Sequence, residues 1–192
     1  MTVGSYLSDA ALFLVDTILG IYILLVLLRF LLQLVCADFY NPISQFIVRA
    51  TNPPLVRLRR FIPGLWGVDL AALLLLITIE ALRISLTAVL LGHSPRLAGI
   101  IFLSLGELAK LAVYTVIFSI FIRALLSWFS NGLQHPITRL LGSFTDPILQ
   151  PVRRILPATG GIDLSPLFVF IAMMLILKLV VQPLMDLGRS LL

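Results

Sequence analysis

The stretch NPISQFIVRATNPPLVRLRRFIPGLWGVDL, residues 41–70, decides the fold because it occurs twice. The second copy, HPITRLLGSFTDPILQPVRRILPATGGIDL, occupies residues 135–164, and adding 94 to each number of the first copy gives the second without a gap. Of the 30 aligned positions, 11 are identical. An ungapped internal repeat indicates two copies of one structural unit. We therefore divide the chain into repeats over residues 1–92 and 93–192.

The composition is typical of a membrane protein. Hydrophobic residues make up 60% of the chain and charged residues only 12%, with a mean hydropathy of +1.10. A soluble domain has about 25% charged residues. A membrane span needs about 20 apolar residues, and the sequence predicts four, at about residues 10–35, 70–91, 107–128 and 164–184, with a short separate helix before the third. No basic residue precedes the first apolar run, so we expect it to stay as a span rather than act as a cleaved signal peptide.

The repeated stretch predicts an amphipathic helical segment in each loop, 36–69 and 129–163. Asn41-Pro42 is a good helix start, since asparagine can cap and proline is tolerated in the first turn. Apolar side chains then recur with helical spacing at Ile43, Phe46, Ile47 and Ala50, and in the second copy at Ile137, Leu140, Leu141 and Phe144. Such a segment between two spans is expected to lie in the membrane interface.

Prolines are expected to break this segment, because proline disfavours the α conformation of the residue before it. The predicted breaks are at Pro53 and Pro147, and a second short helical piece is predicted to end at Pro63 and Pro157. Two aspartates should then cap the following spans, where they would accept bonds from free amides at the positive end of the helix dipole. These caps are Asp69 and Asp163.

The distribution of arginine predicts the orientation. The two loops carry seven arginines outside the spans, whereas the opposite side carries two, Arg96 and Arg189. Loops rich in basic residues stay in the cytoplasm, so both termini are expected outside it, in a bacterial inner membrane. Each repeat holds two spans, and the copies should be parallel. The sequence therefore predicts an all-α membrane protein with four transmembrane helices in two parallel repeats, each with a short amphipathic interfacial helical segment between its spans.

Charged residues inside the spans are candidates for function because they are costly there. Arg29 and Arg123 are related by the offset of 94, and we expect them to snorkel to headgroups or to Asp69 and Asp163. Asp16 is related to Lys110 in the same way, which suggests an ion pair between the repeats. Local pairs three residues apart are the alternative, Glu107–Lys110 and, as the expected pairing there, Glu80–Arg83.

The sequence gives no basis for catalysis or cofactor binding. The one cysteine, Cys36, and the two histidines, His93 and His135, lack partners at metal-ligand spacing. Phosphate-binding glycine loops, nucleophile elbows and paired catalytic carboxylates are absent from the sequence. We therefore expect no enzyme activity, no metal and no cofactor.

The combined motif, an N/H-P-I start followed by T-N/D-P-x-L, R-R-x-x-P and G-x-D-L, resembles the YggT family of small integral membrane proteins, in its duplicated bacterial form. The resemblance covers nearly the whole chain. It marks the following residues in the two copies without assigning them a role: Pro42, Pro53, Arg59, Arg60, Pro63, Gly67 and Asp69, and Pro136, Pro147, Arg153, Arg154, Pro157, Gly161 and Asp163. The resemblance places the chain with YlmG proteins, whose genes lie beside cell-division genes in some bacteria, and with plastid relatives implicated in maturation of the cytochrome b6 complex and in nucleoid distribution. For enterobacterial members it implies a role in tolerance of osmotic or ionic stress.

Two functions are open on this basis. In the first, the protein is a non-enzymatic scaffold or an assembly or stress-tolerance factor whose basic loops contact anionic lipid or an unknown protein partner. The residues expected to do so are Arg59, Arg60, Arg153 and Arg154. In the second, the protein is part of a small ion or osmolyte channel or transporter. It would act as a homo-oligomer, because the four spans of one chain leave little room for a hydrated path. Nucleic-acid binding is not favoured, because the loops carry few basic and aromatic residues.

Overall fold

The computed structural model describes residues 3–65, 67–129, 135–155 and 163–192, and these residues form helices joined by short turns. The helices are α1 Val3–Leu34, α2 Pro42–Arg59, α3 Leu70–Leu90, α4 Leu97–Phe129, α5 Pro136–Ile155, α6 Ser165–Ile176, a π-helical segment Leu177–Val181, and α7 Gln182–Ser190. Four stretches are long and apolar enough to cross a membrane: Tyr6–Leu34, Leu70–Leu90, Leu97–Ser127 and Ser165–Ser190. The predicted all-helical fold with four spans in two repeats is confirmed.

The two amphipathic helices lie at one end of the bundle and join the two repeats there. α2 packs against α1 and α3, α5 packs against α4 and α6, and α2 and α5 contact each other. A buried cluster at this end joins the repeats through Leu32, Ile120, Leu140, Phe144 and Leu149, among others. The asparagine cap of α2 also crosses between repeats, because the Asn41 side-chain amide donates to the Pro136 carbonyl at 2.6 Å. We call this end of the molecule the loop end and the opposite one the far end.

The third span differs from the prediction of a short helix followed by a span from residue 107. α4 is one continuous helix of 33 residues. Its first turns are covered by α7, which approaches at positions occupied by glycine: a Cβ on Gly188 would lie 2.7 Å from the Leu103 amide nitrogen, and one on Gly106 would lie 2.5 Å from the Met185 Cγ. Close backbone approach at small residues is a common way for membrane helices to pack.

The fourth span continues beyond its predicted end near Pro183. Proline is tolerated in the first turn of a helix, and Pro183 lies there in α7. The preceding π-helical segment accommodates it, with the Gln182 amide donating to the Leu177 carbonyl five residues back. The apolar helix therefore extends to Ser190.

The predicted breaks at Pro53 and Pro147 are wrong. α2 runs through Pro53 and Pro54, and α5 runs through Pro147 and Pro151. A proline makes a helix end before it probable but not certain. In α2 the two residues before Pro53 are held by the neighbouring span, because Arg29 hydrogen-bonds to Thr51 and Asn52. The predicted helix end at Pro157 and the turn at Gly161 lie outside the described residues. Gly67 adopts a φ of 84°, a left-handed conformation for which glycine is suited.

The face of α2 that packs against the spans includes only part of the predicted apolar face. Ile47 is buried together with Ser44, Thr51 and Leu55, whereas Phe46 is 64% exposed. In α5 the buried residues are Leu140, Phe144, Thr145 and Leu149. The two buried faces share a threonine and a leucine at equivalent positions. The buried threonine of each helix contacts a span arginine.

Candidate functional site

One polar contact found in both repeats joins a span arginine to the amphipathic helix of the same repeat. Arg29 of α1 is 5% exposed. Its Nη1 lies 2.9 Å from the Thr51 Oγ1, 2.8 Å from the Asn52 Oδ1 and 3.2 Å from the Val48 carbonyl oxygen. The partners of Arg29 are therefore on α2, rather than Asp69 or the headgroups that the sequence suggested.

Arg123 makes the equivalent contacts in the second repeat. Its Nη1 lies 2.6 Å from the Thr145 Oγ1 and 2.7 Å from the Asp146 Oδ1. Thr51 and Thr145 each donate in turn to the carbonyl one turn back, at 2.7 Å. We call these two sets of residues the arginine clamps. Each clamp fixes an amphipathic helix to the span before it.

A second pair of contacts fixes the same helices to the span that follows. Arg59 Nε donates to the Asp69 carboxylate at 3.2 Å, and Arg153 Nε donates to that of Asp163 at 2.9 Å. Asp69 also caps α3 by accepting from the Ala72 amide at 3.2 Å, which confirms the predicted cap.

The cap at Asp163 is displaced by one residue from the prediction. Asp163 accepts from the Ser165 amide at 2.9 Å, while the residue at the N-cap position of α6 is Leu164. The position equivalent to Ala72 in the second repeat is Pro166, which has no N–H to donate. The carboxylate therefore bonds to the amide one residue earlier.

The second repeat differs from the first because Asp146 replaces Asn52. Asp146 accepts from Arg123 and also lies 3.3 Å from the Arg153 Nη1. Arg153 pairs with Asp163 at 2.8 Å. The ionic chain Arg123–Asp146–Arg153–Asp163 thus joins α4, α5 and the start of α6, whereas the first repeat has two separate contacts.

Asp163 gives a prediction for pH dependence. Burial opposes its ionisation, but hydrogen bonding from Ser165 and the Arg153 guanidinium hold the pKa of this carboxyl below its ordinary value. Its contribution to folding is present above the pKa of the unfolded chain, about 4, and is lost as the pH falls through the lower pKa of the folded state. We expect Asp163→Asn to flatten the loss of thermal stability below pH 4, with Asp186→Asn as the charge-matched control. An unchanged pH profile in Asp163→Asn would contradict this.

The remaining loop-end arginines have no ion pair among the described residues and are exposed. They are Arg49, Arg57, Arg60, Arg139 and Arg154. The structure thus divides the four arginines predicted to bind lipid or a partner. Arg59 and Arg153 are held by the aspartates, while Arg60 and Arg154 are free to contact something outside the chain, which stays a prediction.

The charges at the far end do not pair as the repeat offset suggested. Asp16 Oδ1 lies 3.1 Å from Arg83 Nη1, and Lys110 Nζ lies 3.2 Å from Glu107 Oε2. An Asp16–Lys110 pair is therefore replaced by a contact between α1 and α3, which pack against each other, and by a local pair on α4. The predicted Glu80–Arg83 pair is confirmed, with Arg83 Nε donating to Glu80 at 3.2 Å.

The histidine, cysteine and carboxylate side chains of the described residues form no group that could hold a metal ion. Sequence reasoning missed the roles of Thr51, Asn52, Thr145 and Asp146 as arginine partners. The available signal was the shared offset: Thr51 and Thr145 are identical, and Arg29 and Arg123 are related by the same 94 residues.

Comparison with known proteins agrees with this repeated architecture. The CCB3/YggT family model matches the chain twice, over residues 8–90 and 102–184. The two matches are separated by the same 94 residues as the repeated stretches. No solved structure matches the chain.

Similar curated proteins cover nearly the whole chain. "Uncharacterized protein PA0392" of Pseudomonas aeruginosa is 43% identical over 92% of this chain and 90% of its own length. "Uncharacterized protein in proC 3'region" of Vibrio alginolyticus is 42% identical over 84% and 88%. "Uncharacterized protein YggT" of Escherichia coli K12 is 35% identical over 94% of both chains. With its two family matches, its four spans and these relatives, the chain belongs to the CCB3/YggT family of membrane proteins.

Proposed function

We propose that the protein is a non-enzymatic scaffold of the bacterial inner membrane, whose two amphipathic helices bind anionic lipid at the cytoplasmic surface. In this proposal, the lipid-bound surface is then presented to a protein partner in membrane assembly or stress tolerance. Both termini lie outside the cytoplasm, because the arginines outside the spans are concentrated at the loop end.

The observation that carries the proposal is the outer face of α2. Phe46, Arg49, Val56 and Arg57 of α2 and its C-cap residue Arg60 are all exposed and recur at helical spacing. This face is opposite the buried one, and α2 contains no acidic residue. A helix face that mixes basic and large apolar side chains suits the surface of an anionic bilayer, where the apolar groups enter the headgroup region and the arginines meet phosphates.

The second amphipathic helix adds to the same surface. Arg139 and Arg154 of α5 are exposed, and so is Ile155, at 78%. Because α2 and α5 contact each other, their exposed arginines belong to one end of the molecule. The arginine clamps and the Arg–Asp contacts hold both helices in place before any lipid arrives. Such preorganisation lowers the entropic cost of binding.

The interior of the bundle supports a scaffold over the channel alternative. A single-chain path would have to connect the far-end charges with the arginine clamps. Between these levels lies an apolar cluster of Ile23, Val26, Leu27, Leu76 and Leu108, all 7% exposed or less. Asp16 and Arg29 are 13 residues apart on α1, about 20 Å along a helix at 1.5 Å per residue. A hydrated path through one chain would have to displace this cluster.

The test is lipid capture by the purified full chain, with phosphatidylglycerol titrated in mixed micelles and bound lipid counted by native mass spectrometry. The test variant is Arg60→Gln with Arg154→Gln, and the matched control at the far end is Arg96→Gln. Each basic residue near an anionic surface contributes about 1 kcal/mol, so we expect the double variant to bind roughly 30-fold more weakly. The control should bind like the wild type. Equal binding by the double variant would overturn the proposal.

A further inference from the structure

A cavity of about 430 Å³ lies at the far end, between the spans of the two repeats. Its lining includes Asp16 of α1, Arg83, Thr87 and Ala88 of α3, and Leu103 and Glu107 of α4. We call it the far-end cavity. Its volume falls within the range of small-molecule sites, which are about 300–1,000 Å³ and mainly apolar with a few polar groups. It shares no residue with the arginine clamps or the exposed arginines of the loop end.

The carboxylates and the threonine hydroxyl that line the far-end cavity can accept more hydrogen bonds than they receive from the described residues. Asp16 pairs through Oδ1 with Arg83, and Glu107 pairs through Oε2 with Lys110. The second oxygen of each carboxylate has no partner among the described residues. The Thr87 hydroxyl oxygen is buried and also has no hydrogen-bond partner there. An enclosed polar atom without a partner is costly, which favours a ligand that can bond to it.

The charges around the far-end cavity favour a cation. Arg83 is held by both Asp16 and Glu80 and is thereby neutralised. The lining residues and their direct partners include three carboxylates, Asp16, Glu80 and Glu107, against two formally charged bases, Arg83 and Lys110, and the imidazole of His93 also lines the cavity. A ligand with one positive charge would balance this set.

We propose that the far-end cavity binds a primary ammonium group attached to an apolar body. An ammonium has three N–H donors and no acceptor, which matches the free oxygens of Asp16, Glu107 and Thr87. The apolar body packs against Ala88 and Leu103. A bare metal ion would leave these walls without a partner, so the lining favours an organic cation. This chemistry occurs in soluble alkylamines and in the headgroup of aminolipids.

The test uses hexylammonium as the probe, added to the detergent-purified full chain and followed by calorimetry. Hydrogen bonds to charged groups contribute about 1.5–3 kcal/mol, so we expect Glu107→Gln to weaken binding by about tenfold or more. Asp186→Asn removes an exposed carboxylate paired with Arg189 outside the cavity and should bind like the wild type. Hexanol, which has the same body without the charge, should bind much more weakly. Equal binding of hexanol, or of hexylammonium by Glu107→Gln, would overturn the proposal.

A second variant leaves the charges in place and fills the space. Ala88→Leu adds three carbons to the cavity wall, and we expect it to abolish hexylammonium binding while its circular dichroism spectrum and lipid capture stay as in the wild type. Retained binding would contradict the site.

A third measurement identifies the natural source of the ammonium. Native mass spectrometry compares retention of phosphatidylethanolamine and phosphatidylcholine by the wild type and by Ala88→Leu. Preferential retention of phosphatidylethanolamine that Ala88→Leu removes supports an aminolipid. Hexylammonium binding without this preference supports a soluble amine, and absence of both overturns the proposal. Because phosphatidylglycerol capture depends on Arg60 and Arg154, failure here leaves the proposed scaffold function intact, and the reverse also holds.

Discussion

Replacing Arg29 with leucine is expected to lower the free energy of unfolding by about 2–4 kcal/mol. The Asn52 side-chain oxygen would lose its donor, and a buried polar group left unsatisfied costs about 1–3 kcal/mol. The Thr51 hydroxyl and the Val48 carbonyl would each lose a hydrogen bond from the charged guanidinium while keeping the one between them. The measurement is SDS-induced unfolding in mixed micelles, followed by circular dichroism. Arg29→Lys should recover only part of the loss, because one ammonium cannot reproduce the reach of a guanidinium.

The second repeat provides the matched comparison. Arg123→Leu removes the equivalent side chain, but Asp146 keeps its contact with Arg153 at 3.3 Å. We therefore expect Arg123→Leu to be less destabilising than Arg29→Leu. An Arg29→Leu protein that unfolds like the wild type, or a larger effect of Arg123→Leu, would contradict the clamp as described.

The second large effect is expected at the seam between α4 and α7. Gly188→Ala would place a Cβ 2.7 Å from the Leu103 amide nitrogen and 3.0 Å from its Cα. These are backbone atoms that cannot rotate away, so the helices must separate. Forcing an extra carbon into a packed contact costs about 1–3 kcal/mol, measured by the same SDS unfolding.

A glycine without neighbours provides the control for this substitution. A Cβ on Gly20 of α1 would meet nothing within 4 Å. Gly20→Ala should therefore stabilise the protein slightly, because alanine is a better helix former than glycine by about 1 kcal/mol. The opposite signs of the two substitutions separate packing from helix propensity. A neutral Gly188→Ala would show that α7 does not pack closely on α4.

The repeat offset was the most informative feature of the sequence. It predicted the two-repeat architecture, the cap at Asp69 and the equivalence of Arg29 and Arg123, whereas the cap at Asp163 is displaced by one residue. These features depend on local patterns that both copies carry. The partners of the two span arginines were in principle available as well, because Thr51 and Thr145 occupy equivalent buried positions.

The errors arose where tertiary contacts override local preference. Helix breaks were predicted at Pro53 and Pro147, but span contacts keep those stretches helical. The partner of Asp16 could not be read from symmetry, since Arg83 has no charged counterpart in the second repeat. The partner of Asp16 depends on which span packs beside α1, and the local sequence pattern does not show this.

The proposed function requires α2 and α5 to lie in the membrane interface with their basic faces toward anionic lipid. The depth of a spin label tests this placement. The label is attached at Val56→Cys in a Cys36→Ser background, and the labelled protein is reconstituted into vesicles containing phosphatidylglycerol. A label at Ser94→Cys, in the exposed turn between α3 and α4, gives the aqueous reference. We expect the label at position 56 to collide more with oxygen and less with a nickel chelate than the label at position 94. Equal nickel accessibility at the two positions would place α2 in water and contradict its placement in the membrane interface.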